Sequence, residues 1–62
     1  MSPLSLTFEL YLGASDAAPK FEVLTCRSRG DLIQRVRRLI EERNLQWVEV
    51  RELGVPLFTI GR

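Results

Sequence analysis

The chain contains no histidine and only one cysteine, Cys26. Without histidine, neither a Ser-His-Asp nor a Cys-His arrangement can be assembled. A structural zinc site needs Cys and His ligands at fixed spacing, and these residues do not supply one. No intrachain disulfide can form. Lysine is nearly absent too: the nine basic residues are Lys20 and eight arginines, and the net charge is +1. A balance so close to neutral gives no overall pull toward nucleic acid or membrane. No apolar run approaches the length of a membrane span, and Met1-Ser2-Pro3-Leu4 lacks the basic start of a signal peptide. A reducing cytoplasm is the expected setting. No Gly-x-Gly-x-x-Gly or Walker loop is present. Glu41 and Glu42 are adjacent on a helix and diverge, so they do not form a facing pair. The expectation is a protein that is not an enzyme, with no metal and no cofactor.

What is present reads as one small globular domain over residues 1–62, with 45% hydrophobic and 27% charged residues. Residues 4–12 alternate: Leu4, Leu6, Phe8, Leu10 and Leu12 on one side, Ser5, Thr7, Glu9 and Tyr11 on the other. A period of two predicts a half-buried strand. Residues 13–19 read as a loop of small, turn-forming residues. Residues 20–26 form a second strand. Its apolar set changes face at Val23-Leu24, the signature of a bulge.

Residues 28–43 form the helix. Leu32, Ile33, Val36, Leu39 and Ile40 make one stripe. Ser28 caps the start, Asp31 reaches back as a capping box, and Asn44 supplies a left-handed end. Asp31–Arg35 and Arg37–Glu41 have i,i+4 spacing. Residues 47–52 give a third strand, with Val48 and Val50 toward the core. Leu53-Gly54 makes a tight turn, and residues 55–60 a fourth strand. Pro56 lacks an N–H and belongs at a strand start or an unpaired edge.

The class is therefore α+β: ββαββ, a four-stranded sheet with one helix on one face. The expected strand order is 2-1-4-3, which resembles β-grasp domains in topology alone and implies no activity.

Two surface features suggest function. The sheet face away from the helix is expected to carry Tyr11, Leu24, Trp47, Val55 and Leu57, with no second layer to cover them. A chain this short is marginal as a lone core, and self-association is a common remedy. The leading expectation is a small interaction module, most simply a homodimer through this open face or a sheet edge, or else a binder of another protein. The second feature is Arg27, Arg29, Arg35, Arg37 and Arg38 around the helix start, with local charge +4 over residues 27–38. Helix N-termini attract anions, so phosphate or nucleic-acid binding is the alternative expectation. Salt would separate the two, weakening anion contacts steeply and a hydrophobic dimer little.

Overall fold

A computed structural model describes residues 5–62, so the expectations for Met1 through Leu4 lie outside the described residues. The order is β1 (Leu6–Ala14), β2 (Ala17–Cys26), α1 (Arg29–Arg43), β3 (Trp47–Glu52) and β4 (Val55–Gly61). This is the ββαββ α+β arrangement.

β1 is apolar at every second position, and Phe8, Leu10 and Leu12 are buried. Their side of the sheet receives the helix. Val48 and Val50 of β3 lie opposite Leu12 and Leu10 on that same side and are fully buried. The helix brings Leu32, Val36 and Ile40 down onto them, with Leu45 and Cys26 completing the core. Ile33, at the border of the apolar stripe, stays 37% exposed. Ser28 Oγ accepts the Asp31 N–H at 3.1 Å, and the Asp31 carboxylate accepts the Arg27 N–H at 3.2 Å. Two N–H groups at this helix entry are thereby satisfied, at typical cap worth of about 1 kcal/mol. Asn44 ends the helix at φ 54°. Asp31 and Arg35 form an ion pair at 3.4 Å. The expected Arg37–Glu41 pair does not close; Arg37 and Glu41 instead border a hollow beside Ile60.

The strand order is β2-β1-β3-β4, antiparallel throughout, rather than 2-1-4-3. Both orders give each strand the same direction; they differ in which strand of the second hairpin sits beside β1. β3 takes the interior place because Val48 and Val50 fill the space under the helix completely. β4 is left at the edge, where a proline that cannot donate is tolerated. Antiparallel pairing of β1 with β3 also replaces the slightly weaker parallel pairing that β4 would have required.

Two local readings change as well. The residues expected as a long loop, 13–19, are mostly strand: β1 runs to Ala14, Ser15 and Asp16 make the turn, and β2 starts at Ala17. The irregularity expected at Val23-Leu24 lies elsewhere, between the Leu12–Lys20 and Ala14–Ala17 pairs. There Ala18 and Pro19 oppose Gly13 alone, so the extra residue sits beside a proline that no ladder bond needs. A second shift in β4 places Leu57 between the Val50–Phe58 and Arg51–Pro56 pairs.

The β3–β4 turn carries a cost. Gly54 has φ 82°, as its lack of a side chain permits, but Leu53 beside it has φ 51° while 90% exposed. Positive φ at both central residues is the type I′ arrangement, which favours Asn-Gly. A leucine there loses about 1 kcal/mol against residues suited to the left-handed region. Replacing it removes no buried contact. Leu53→Asn is expected to raise the melting temperature by ~5 °C, measured by thermal unfolding under circular dichroism, while Gly54→Ala lowers it.

Candidate functional site

The open side of the sheet is set by the register. Tyr11 lies opposite Phe21 on β2 and Glu49 on β3; Glu9 lies opposite Val23 and Arg51; Gly13 lies opposite Trp47. Residues directly opposite share a face. The Tyr11 and Phe21 rings meet edge to face, with centroids 5.3 Å apart. On the other flank of Tyr11, the Arg51 guanidinium sits 4.9 Å from the ring centroid and also reaches Glu49 at 3.1 Å. Cation–π and carboxylate contacts together hold Arg51 flat along the sheet.

Trp47 completes the row. A Cβ built on Gly13 would fall within the indole. Gly13 is therefore buried beneath the Trp47 ring, and its missing side chain is what lets the ring lie on the strand. The face thus shows an aromatic row, Trp47, Tyr11 and Phe21, continued at the β2 edge by Val23. Phe21 is 54% exposed and Val23 58%. Glu9 bounds the patch at the hairpin end, where its carboxylate accepts the Gly54 N–H at 3.0 Å.

Of the five residues expected on this face, the structure keeps Tyr11 and Trp47. Leu24 lies opposite Phe8 on the helix side and packs against the core, as does Leu57, which sits at the β4 irregularity. Val55 is exposed but pairs with Glu52, whose carboxylate points to Arg29 at the helix start, 3.9 Å away. Phe21 and Val23 take the vacant places. The alternation of β2 contained that signal, but both its faces carry apolar residues, and only pairing with β1 decides between them. Glu22, opposite Leu10, lies on the helix side in an ion pair with Arg43.

The five arginines do not converge. Arg29 turns toward Glu52, and Arg35 toward Asp31 and the Thr25 carbonyl, to which it donates at 3.3 Å. Arg38 joins Arg35 around a hollow next to Leu24, whereas Arg37 lies on the opposite flank of the helix beside Ile60. Arg27 stands before the cap, its own N–H taken by Asp31. The carboxylate of Asp31 already occupies the helix entry.

Cys26 is only 3% exposed, and although Arg27 and the helix start lie close by, its thiol is pushed up from the ordinary value. Burial is the main cause, the Asp31 carboxylate adds to it, and Arg35 opposes it. Among the described residues no cluster of His, Cys, Asp or Glu has the makings of a metal site, and no helix is long and apolar enough to cross a membrane. Comparison with protein-family models, curated proteins and solved structures gives no match.

Two outcomes follow from this geometry. Gly13→Ala forces the Trp47 ring off the strand, destabilising the fold by about 1–3 kcal/mol and shifting Trp47 emission to the red. Cys26 should react with a thiol reagent far more slowly in the folded protein than in urea at pH 8, because the raised pKa and burial both withhold the thiolate. By the same linkage, the stability associated with its neutral form is present below the unfolded pKa and declines as pH rises through the folded one.

Proposed function

We propose that the protein is a small interaction module, without catalysis of its own, that associates with a second copy of itself through the open sheet face. The observation that carries this reading is the aromatic row of Trp47, Tyr11 and Phe21, which no element among the described residues covers. Tryptophan and tyrosine anchor interfaces because they bring large rigid area at low entropic cost. Four strands at about 4.8 Å and about seven residues at about 3.4 Å give a flat face on the order of 450 Å². Two such faces, with rings standing above them, approach the ~1,000 Å² that a specific interface requires. Charge supports self-pairing as well, since Arg51 lies between Glu9 and Glu49 and a two-fold stack can set each arginine against the partner's carboxylates.

Phe21 is the residue to change, because Trp47 also shields Gly13 within one chain. Phe21→Glu places a charge within the stacked faces, on their β2 side, while costing the exposed monomer surface little. The parent is expected to show a concentration-dependent mass by sedimentation and a melting temperature that rises with concentration. The variant is expected to lose the share of both that face stacking contributes. A parent that stays monomeric into the high micromolar range, with constant melting temperature, refutes the proposal.

A further inference from the structure

Among the described residues the sheet has two free edges, β2 and β4, and they differ. β4 begins with Val55-Pro56, and its ladder shifts at Leu57. A proline and an irregularity are the devices by which natural edges resist pairing. β2 has both as well, Pro19 and the shift opposite Gly13, but they lie at its turn end and leave a longer clear stretch. From Lys20 to Cys26 it runs in unbroken register against β1, Leu12–Lys20 through Leu6–Cys26. These seven residues, Lys-Phe-Glu-Val-Leu-Thr-Cys, contain three β-branched or aromatic formers, and their outer backbone groups have no strand partner among the described residues. Arg35 donates to the Thr25 carbonyl, and a carbonyl has a second lone pair.

We propose that this stretch pairs antiparallel with the same stretch of a second copy, about a two-fold axis at Val23, to give one continuous eight-stranded sheet. This goes beyond face-to-face association and does not depend on it. The occupant is a second copy because the stretch is complementary to itself. Centred on Val23, all seven residues pair: Val23 with the partner's Val23, Phe21 with the partner's Thr25, Lys20 with the partner's Cys26. Moving the axis to Glu22 sets two glutamates directly opposite, which is unfavourable. Moving it to Phe21 draws in Pro19 and the irregular turn end, and moving it to Leu24 shortens the ladder.

The charges on the helix side agree with the same register. Arg35 sits at Thr25, and Thr25 faces the partner's Phe21, so Arg35 arrives beside the partner's Glu22. Lys20 faces the partner's Cys26, next to which the Arg27 N–H holds the Asp31 carboxylate. Opposite charges therefore meet at both ends of the paired strands, twice by symmetry. On the other side, Val23 and Phe21 of the two copies join the exposed patches into one.

Cysteine cross-linking tests the register. Val23→Cys, Phe21→Cys and Thr25→Cys are made singly, in chains with and without Cys26→Ala, and oxidised mildly. Val23→Cys alone lies opposite itself and is expected to give at least tenfold more disulfide dimer than either of the others. A mixture of the Phe21→Cys and Thr25→Cys chains is expected to cross-link as a heterodimer. Equal cross-linking at all three positions, or none at Val23→Cys, overturns the proposal. A concentration-dependent mass lost in Phe21→Glu, without a Val23→Cys cross-link, overturns the edge pairing and leaves the stacked face standing. The Val23→Cys cross-link in a chain whose mass Phe21→Glu does not alter does the reverse.

Discussion

The pairing of β1 with β3 is the contact on which the rest of this molecule depends. Leu10 against Val50 and Leu12 against Val48 join two hairpins that otherwise have only a helix between them. Because both valines are fully buried, the helix lies over this junction, packing against β2 and β3, the strands that flank β1. The same register puts Trp47 opposite Gly13 on the reverse side. One alignment of two strands thus determines the core on one face and the aromatic row on the other.

The two sides of the sheet consequently have different chemistry. On the helix side, the charges are spent locally: Asp31 on the cap, Glu22 on Arg43, Glu52 on Arg29. Each is an exposed or half-exposed pair, and such pairs contribute about 0–1 kcal/mol. They matter more as a reason that the arginines are scattered than as a source of stability. On the open side, Arg51 is held between Tyr11 and Glu49, and the apolar rings around it remain in contact with solvent within one chain.

Local chemistry was readable where the deciding interactions are local. The helix stripe, its Ser28 and Asn44 caps and the Leu53-Gly54 turn all depend on residues within a few positions of one another, and all take the expected form. The class and the ββαββ order follow from the same periodicities. Strand order did not, because β3 and β4 both read as apolar strands and their competition for the place beside β1 is settled by packing under the helix. The face of β2 was also hidden: Phe21 and Val23 alternate against Leu24 and Cys26, and either set suits a core. A turn of two residues rather than a loop across residues 13–19 decides the matter, since a one-residue change in register exchanges the faces. Of the expected interface, Tyr11 and Trp47 were legible because their strands have one unmistakably apolar side. The cover of Gly13 by Trp47 and the stacking of Arg51 on Tyr11 required knowledge of which strands meet.

The junction of β1 with β3 has a consequence for how the chain reaches this structure. Each hairpin closes through a short turn and loses little chain entropy in doing so, and a hairpin of this kind forms in about 1–10 μs. The contacts between β1 and β3 close a much longer loop that contains the entire helix, so they are entropically the most expensive to make. Docking of the two hairpins, with the helix swung across them, carries this entropic cost. Until it occurs, β1 is an open edge that exposes Phe8, Leu10 and Leu12, and the interval before docking is when this sequence is most vulnerable to pairing with the wrong strand.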